Sequence, residues 1–289
     1  MRIRATVAAV TGALALSALV VPAAQAADSA PSYRAAAEKA HSHATSGKNA
    51  FSAAAADDPA DLGVTFSNLK IASAVKVGVS NHVTATVTYT MTHGDNYVVG
   101  SDDFDNGPFI YKPSTGGFLM GENAATCSAT SATTASCKGL VDIYPAEGDL
   151  LNIDAGTWKA GALALQYSTG DFSETDGLGT TKVQRYSKLT VNASPEPVTK
   201  GKTITVTGKL SRANWEDNKY HGYTKQSVKL QYRKKGSSTY TTLKTITSNS
   251  TGNLKTTTTA KADGYYRYSF AGTTTTPAVN AAGDYVDVR

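Results

Sequence analysis

Residues 83–92 alternate without a break between apolar and polar side chains. Every polar position in this segment is threonine, and the apolar positions are Val83, Ala85, Val87, Tyr89 and Met91. Successive side chains of a β-strand point to opposite faces, so the pattern predicts a strand with one buried and one solvated face. Residues 75–79 carry valine at every second position. We therefore predict a hairpin of residues 75–79 and 83–92 that turns at Ser80 and Asn81.

Further strand candidates in the first half of the chain are separated by clusters of Gly, Asp, Asn and Pro. They are residues 109–111, 117–120, 124–128, 136–143, 163–167 and 183–189. Short strands divided by turn residues, with no helical segments between them, are typical of a β-sandwich and not of an α/β fold.

The second half repeats this pattern more regularly. Its strand candidates are residues 189–191, 203–210, 227–233, 240–247, 254–260, 265–270 and 284–288. Seven strands in about 100 residues are typical of an immunoglobulin-like sandwich. Pro195 and Pro197 bias the residues before them to extended backbone, which marks a stiff start to this part. The sequence therefore predicts an all-β protein of two tandem β-sandwich domains, residues 62–187 and an immunoglobulin-like domain at residues 188–289.

The first 26 residues have the pattern of a secretory signal peptide. Arg2 and Arg4 precede an uncharged Ala/Leu/Val run at residues 5–21, and Ala24 and Ala26 flank Gln25 in the small-x-small pattern of a cleavage site. The run is short for a membrane anchor, the alternative interpretation. No cysteine follows it, which excludes lipidation at the new N-terminus. We expect a secreted, extracellular protein that begins at residue 27 and keeps no membrane span after cleavage.

Residues 27–61 are rich in Ala, Ser and Asp, and Tyr33 and Phe51 are their only large apolar residues. Such a segment cannot bury enough surface to fold alone, so it predicts a flexible arm in which residues 34–44 are transiently helical. His41 and His43 in this arm form a weak potential metal pair, although solvated histidines are the simpler interpretation.

Cys127 and Cys137 are the only cysteines of the chain. Export through an oxidising compartment favours a disulfide between them, formed by two strands joined through residues 128–136. Metal binding is the poorer alternative, because neither cysteine has a second Cys or His at ligand spacing.

Charge divides unevenly along the chain. Residues 62–189 hold 8 Lys and Arg against 12 Asp and Glu, a net charge of −4, whereas residues 190–289 hold 15 against 6, a net charge of +9.

The basic half predicts a polyanion-binding face whose candidate residues are Lys225, Lys229, Arg233, Lys234 and Lys235. Such a face suits an anionic cell-wall polymer or polysaccharide. No nucleic-acid-binding motif is present, so nucleic acid is an unlikely partner. The alternative is that these cations protect edge strands and keep the domain soluble.

A second binding mode involves the aromatic residues of the segment 212–223. Trp215, Tyr220 and Tyr223 could stack on sugar rings if the loop were exposed, or they could cap the end of the sandwich. Trp158 is expected to fill the core of the first domain.

An acidic cluster in the first half suggests calcium. It comprises Asp102, Asp103 and Asp105, followed by Asn106 and Gly107. Calcium takes several oxygen ligands from loops, and the acidic loop at residues 171–176 could contribute more. The spacing departs from the EF-hand pattern, because Phe104 occupies the third position and Pro113 the last. An ordinary solvated turn is the alternative, and no other cofactor is predicted.

No catalytic motif is present. The histidines of the folded part lie beside no Gly-x-Ser-x-Gly turn. Carboxylate pairs for glycoside hydrolysis can come from distant strands, which leaves Asp142, Glu147, Asp149 and Asp154 as candidates by elimination. We predict a non-catalytic binding or structural protein. The alternatives are a carbohydrate-binding protein or a secreted hydrolase with its site in residues 62–187.

Four segments in the last third of the chain carry a resemblance. They read LTVNASPEPVTKGKTITVTGKLSRANW (189–215), VKLQYRKKGSSTYTTLKTI (228–246), GYYRYSFAGTTTTPAV (264–279) and GDYVDV (283–288). This part resembles a C-terminal module of secreted actinobacterial proteins, which is similar to bacterial immunoglobulin-like domains with a KG-x-hydrophobic-x-hydrophobic-x-G opening strand. The resemblance implies an immunoglobulin-like fold and export. It supplies no catalytic residues and leaves the biochemical function open.

Overall fold

The computed structural model describes residues 32–46 and 59–289. The predicted signal peptide with its cleavage site lies outside the described residues, as do parts of the predicted arm. No helix in the described ranges has the length and apolarity needed to cross a membrane.

The first part of the described chain contains one helix and nine strands. They are α1 (Tyr33–Ser46), β1 (Thr65–Ile71), β2 (Ala74–Val77), β3 (Val83–Thr92), β4 (Phe104–Lys112), β5 (Gly117–Met120), β6 (Thr126–Ala129), β7 (Thr134–Ile143), β8 (Gly156–Gln166) and β9 (Phe172–Arg185). Two sheets form, one in the order β1-β3-β7-β6 and the other in the order β2-β9-β8-β4-β5. Short 3₁₀ helices at Pro145–Glu147 and Asn152–Asp154 connect β7 to β8.

The alternating segment forms the long strand β3, as predicted. It pairs antiparallel with β7 from Val83↔Ile143 to Thr92↔Thr134. Ala85, Val87, Tyr89 and Met91 are buried, because they share the face that packs against the second sheet and the side chain of Trp158. Trp158 is 1% exposed and fills the core, as expected from its sequence context.

The predicted hairpin of residues 75–79 and 83–92 is wrong. β2 pairs in parallel with β9, from Ala74↔Lys182 to Val77↔Arg185, and lies in the other sheet from β3. Residues 80–82 therefore carry the chain from one sheet to the other. An alternation of period two tells which face of a strand is buried, but it does not specify the neighbouring strand.

Ten strands make up the second part. They are β10 (Ser187–Leu189), β11 (Asn192–Ser194), β12 (Thr203–Asn214), β13 (Lys219–Gly222), β14 (Ser227–Lys234), β15 (Thr241–Thr247), β16 (Asn253–Thr259), β17 (Gly264–Phe270), β18 (Val279–Asn280) and β19 (Asp284–Val286). In one sheet β12 pairs with β10, β11, β13 and β16; the other has the order β15-β14-β17-β18, with β19 also paired to β17. Side chains of both sheets meet in a separate core that includes Ile204, Val206, Leu230, Tyr266 and Tyr268. The all-β sandwich architecture is thus confirmed.

The flexible-arm prediction is wrong for residues 33–46, which form α1. Tyr33 is 7% exposed and Ala37 is fully buried against the outer face of the β2-β9-β8-β4-β5 sheet. The covered residues of that sheet are Phe109, Met120, Leu163 and Leu165. The arm has little apolar surface of its own, but the outer face of the sheet is apolar. The helix can lie close to this face because the residue at the contact, Ala37, has a small side chain.

His41 is also not a solvated histidine. Its ring stacks on Phe118 with centroids 3.8 Å apart, and its Nδ1 atom lies 3.0 Å from Glu174 Oε2. The histidine therefore fixes α1 to β5 and β9.

Replacing Ala37 with leucine should detach α1. The site is fully buried, and forcing extra methylenes into a packed contact costs about 1–3 kcal/mol. Hydrogen exchange should show loss of amide protection at residues 33–46 in Ala37→Leu. Ala35 is exposed on the same helix, so Ala35→Leu should keep the protection of the unaltered protein. Equal protection in the two variants would contradict this packing.

The disulfide between Cys127 and Cys137 is confirmed. The two cysteines are directly opposite each other in the β6–β7 pair. The amide of the buried Asn106 donates to Cys127 Sγ at 3.3 Å and its Oδ1 accepts from the Tyr89 hydroxyl at 2.5 Å. The bridge therefore links the β6–β7 hairpin to β4 of the facing sheet through Asn106.

Reducing this bridge should weaken the first sandwich without unfolding it at room temperature. A closed loop of this size contributes about 2.5–3 kcal/mol by the chain-entropy relation. We expect the free energy of unfolding to fall by that amount in Cys127→Ser/Cys137→Ser, measured by urea denaturation. The variant should no longer respond to added reductant, and a variant as stable as the oxidised protein would refute the assignment.

A single tryptophan joins the two sandwiches. Trp215 follows β12 of the second sandwich, yet it is 2% exposed and packs in the core of the first, together with Ala213. Its indole Nε1 donates to the carbonyl oxygen of Gly78 at 2.9 Å. The second sandwich thus completes the hydrophobic core of the first.

Hydrogen bonds also join the two sandwiches. The Gln184 side chain donates to the Thr273 carbonyl at 2.9 Å, and the Arg185 backbone N–H donates to the Thr275 carbonyl at 3.0 Å. Within the second sandwich, Ser187 Oγ donates to the Pro277 carbonyl of the same turn at 2.9 Å. The end of β9 is therefore tied to the turn at residues 273–277, which belongs to the second sandwich.

Truncation of Trp215 should destabilise both sandwiches together. Removing a buried tryptophan costs about 3–5 kcal/mol, because it leaves a cavity as well as lost contacts. Trp215→Ala should lower the free energy of unfolding by about that amount in a denaturant titration. Trp215→Phe keeps an aromatic ring in the core and should lose less. If Trp215→Ala is as stable as Trp215→Phe, packing of an aromatic ring at this position does not hold the two sandwiches together.

Candidate binding surface

The outward face of the β15-β14-β17 sheet collects cations and aromatic rings. Strand alternation turns Val228 and Leu230 of β14 and Tyr266, Tyr268 and Phe270 of β17 into the core. The residues between them therefore point outward, namely Lys229, Gln231, Arg233, Tyr265, Arg267 and Ser269. Across the strands, Lys229 is opposite Ser269, Gln231 opposite Arg267, and Arg233 opposite Tyr265.

Tyrosine rings alternate with guanidinium groups on this face. Arg267 Cζ lies 3.7 Å from the centroid of the Tyr240 ring, and Arg233 Cζ lies 4.2 Å from that of Tyr265. The ring of Tyr285, on β19, is 5.2 Å from the ring of Tyr265. We refer to Arg233, Tyr240, Tyr265, Arg267 and Tyr285 as the cation–tyrosine row. Stacking of this kind contributes about 0.5–1 kcal/mol per pair at exposed sites and fixes the arginine side chains in place.

The arginines of the row keep unused hydrogen-bond donors. Arg267 Nε donates to Gln231 Oε1 at 2.9 Å, and Arg233 Nη1 donates to the Ser237 carbonyl at 2.5 Å. A guanidinium group has five N–H donors, so most remain for another partner. Within residues 32–46 and 59–289, no carboxylate forms an ion pair with Arg233, Arg267 or Lys229. This face therefore presents positive charge that the described protein does not neutralise.

The five predicted polyanion-binding residues do not form one cluster. Lys229 and Arg233 share the outward face, but Lys225 precedes β14 in a left-handed conformation with φ of 55°. Lys234 has the opposite parity at the end of the strand. Lys235 lies 3.6 Å from Asp263 and near the Tyr285 ring; its pKa is raised, chiefly by the hydrogen bond to Tyr285.

Three residues of this surface were missed in the sequence. Tyr265, Arg267 and Tyr285 lie outside the lysine-rich segment in which cations were sought. The sequence of β17 did indicate that Arg267 is on the outward face. Arg267 lies between Tyr266 and Tyr268, and both of these neighbours are buried.

The predicted sugar-stacking loop is wrong. Trp215 is buried in the joint, and the Tyr220 ring lies beneath Lys188 with Nζ 3.7 Å from its centroid. Tyr223 packs edge-on against Phe270 and is covered by Arg212 at 4.0 Å. These rings are used for internal packing, because the loop is closed by the first sandwich and is not open to solvent.

The acidic cluster near β4 is occupied by protein donors. Asp103 accepts from Ser168 Oγ at 2.6 Å and Gln166 Nε2 at 2.9 Å, which lowers its pKa. The Tyr167 hydroxyl donates to Asp105 at 2.8 Å. Asp102 is exposed in the turn before β4. No group of three or more His, Cys, Asp or Glu in the described part of the chain is arranged to hold a metal ion. The geometry gives no support to the calcium interpretation.

The carboxylates considered for catalysis cap loops. Asp142 is 5% exposed; its Oδ1 lies 2.9 Å from His82 Nε2 and its Oδ2 accepts from the Glu122 N–H at 3.0 Å. Asp149 accepts from the Tyr144 N–H at 2.7 Å, and Asp154 from the Leu151 N–H at 2.8 Å. Glu147 ends a 3₁₀ helix. Each of the three aspartates is thus engaged with nearby backbone.

Comparison with known proteins gives no family. No protein-family model and no curated protein matches the chain. Among solved structures, dimeric latent PorU from Porphyromonas gingivalis is 11% identical with a TM-score of 0.27, over 78% of this chain and 20% of PorU. The fibronectin(III)-like modules of Clostridium thermocellum CbhA are 12% identical with a TM-score of 0.27, over 76% of this chain and 92% of theirs. The D00-D0 domain of intimin is 16% identical with a TM-score of 0.25, over 77% and 99%.

The chain therefore spans only about a fifth of the length of latent PorU. Likenesses at these scores carry no argument about function.

Proposed function

We propose that the protein is exported and binds negatively charged polymers of a cell surface or extracellular matrix without catalysing a reaction. The observation that carries this proposal is the cation–tyrosine row with Lys229, a set of cations on one open face that have no carboxylate partner among residues 32–46 and 59–289. The disulfide supports export, because such bonds persist in oxidising compartments. The balance of +9 in residues 190–289 adds a long-range attraction for polyanions.

The position of these cations argues against a role only in edge protection. β14 lies between β15 and β17, and β17 lies between β14 and the pair β18 and β19. Lysines that prevent edge-to-edge association are needed on edge strands. Lys229, Arg233 and Arg267 are on interior strands, where pairing with another chain is already blocked.

The stacking geometry favours binding. Association normally costs about 0.5–1.5 kcal/mol for each long side chain that becomes fixed. Arg233 and Arg267 are already held by Tyr265 and Tyr240, so part of this cost is removed before the ligand arrives. Guanidinium groups also form paired hydrogen bonds with carboxylate or phosphate, which gives the contact a defined orientation.

Reversing two charges on this face should weaken attachment. Residues 27–289 with Lys229→Glu/Arg233→Glu should bind an anionic polymer at least about tenfold more weakly, a loss of about 1.4 kcal/mol. Binding of the unaltered chain should also weaken as salt rises, because exposed charges are screened beyond about 8 Å at physiological ionic strength. Co-sedimentation with purified wall polymer at low and high salt measures both effects.

The matched control is Lys209→Glu/Lys255→Glu. Both lysines are exposed on the sheet that contains β12 and β16, so the control changes net charge equally at a different face. The control should retain most of the affinity. Equal losses in the two variants would mean that net charge alone drives adsorption, and no loss in either would end the proposal.

A further inference from the structure

A groove opens on the same face, next to the cation–tyrosine row. Its volume is about 340 Å³, at the lower end of the range for small-ligand pockets. Lys229, Gln231, Ser269, Gln226 and Thr273 line it, and the carbonyl oxygen of Thr273 accepts from Gln184 of the first sandwich. Gln231 lines the groove, and its side chain accepts from Arg267 of the row. The two features therefore form one continuous surface.

The lining of the groove is chemically specific. Its side chains offer amide and hydroxyl groups and the ammonium of Lys229, and Phe270 and Ala271 add apolar surface; none of the lining residues is a carboxylate. Such a lining is complementary to a ligand with several hydroxyl groups and a single acidic group. A buried donor or acceptor left without a partner costs about 1–3 kcal/mol, so a ligand lacking hydroxyl groups would fit this lining poorly.

The cations follow one another along the sheet. Lys229 and Arg233 are four residues apart on β14, about 13–14 Å at the rise of an antiparallel strand. Arg267 is opposite Gln231, midway between them. Because Arg267 is on the neighbouring strand, about 5 Å to the side, the backbone positions of the three cations form a zigzag with steps of about 8 Å. Three cations placed in this way are complementary to a chain that carries several acidic groups.

We infer that this surface binds an acidic polysaccharide, with one carboxylated sugar unit in the groove and its acid group on Lys229. The acid groups of the following units pair with Arg267 and Arg233. This inference rests on the proposed function and names its ligand class. Polyphosphate carries denser charge and no hydroxyl-bearing rings, so it would use the cations but leave the groove lining unpaired.

The groove is formed before the ligand binds. Its end wall is the turn that contains Gly272, with φ of 83°, a conformation that favours glycine. A Cβ at this position would lie 2.6 Å from the Ala278 nitrogen. The Thr273 N–H donates to the Thr276 carbonyl at 2.8 Å, and the Thr273 carbonyl accepts from Gln184 of the first sandwich. The first sandwich thus fixes one wall of the binding groove.

The test compares polygalacturonate, linear polyphosphate and uncharged dextran as ligands for residues 27–289. Ser269→Trp fills the groove and leaves every charge in place. We expect polygalacturonate to bind the variant about tenfold more weakly, or 1.4 kcal/mol, and polyphosphate to bind unchanged. Thr257→Trp is the matched control on an exposed strand position of the opposite sheet and should bind both ligands normally. Dextran should not bind the unaltered protein measurably.

The outcomes separate the two proposals. If Ser269→Trp and Thr257→Trp bind polygalacturonate equally, or if dextran binds as well as polygalacturonate, the polysaccharide inference is wrong. Polyanion attachment would still stand as long as Lys229→Glu/Arg233→Glu weakens binding of polyphosphate. If this double variant leaves polyphosphate and polygalacturonate binding unchanged, the proposed function fails as well.

A second measurement covers the case in which Ser269→Trp does not fold. A short oligogalacturonate should shift the NMR signals of amides at residues 227–231 and 269–273 in the unaltered protein. The amides of residues 203–209 and 253–259, on the opposite sheet, should stay in place. Shifts confined to the opposite sheet, or no shifts at saturating ligand, would overturn the inference.

Discussion

The insertion of Trp215 into the core of the first sandwich is the contact on which the rest of the architecture depends. A tandem of independent domains would leave this indole at the end of the second sandwich, where it would be free to bind a ligand. It is instead 2% exposed and hydrogen-bonded to the backbone of Gly78. Burying a tryptophan removes a large apolar area from water, so the joint is held by the same force that forms each core. The two sandwiches therefore share one packed joint.

This joint also contains an unfavourable feature. Arg185 is 8% exposed and donates through Nε to the Ala213 carbonyl at 2.6 Å. Burial, and secondarily the charge of Arg212, lowers its pKa to about 10, so the guanidinium remains charged at neutral pH. It forms no ion pair within the part of the chain that the structure describes. Keeping such a cation buried costs free energy, which the packing of Trp215 and the bonds to the 273–277 turn offset. The 273–277 turn that these bonds hold in place also contributes to the wall of the groove beside Lys229.

Local alternation predicted the parts of the fold that depend on one strand at a time. It placed β3, its buried face, the cysteine-bearing hairpin and the strand β17 correctly. It failed for contacts between distant segments, because neither the parallel partner of β2 nor the burial of Trp215 is encoded in the spacing of nearby residues. The helix α1 left a weak signal: residues 160–165 read Ala-Gly-Ala-Leu-Ala-Leu, and a continuous apolar run indicates a strand covered on both faces. For the binding surface, the lysine-rich segment gave Lys229 and Arg233, but Arg267 joins them only through strand pairing.

The outward faces of the two sheets in the second sandwich can be compared with each other. The outward side of the sheet with β12 and β16 carries five threonines, Thr203, Thr205, Thr207, Thr257 and Thr259, together with Lys209 and Lys255. Threonine has high strand propensity and needs no partner, so it is the expected choice where only folding matters. The outward side of β14 and β17 instead carries two arginines near one tyrosine ring, with Arg233 Cζ 5.3 Å and Arg267 Cζ 3.7 Å from the centroid of Tyr240. Sequences depart from locally favourable choices mainly at functional sites. The contrast between two sheets of one domain, in the same solvent and under the same demands of solubility, favours ligand binding over solubility as the reason for the cation–tyrosine row.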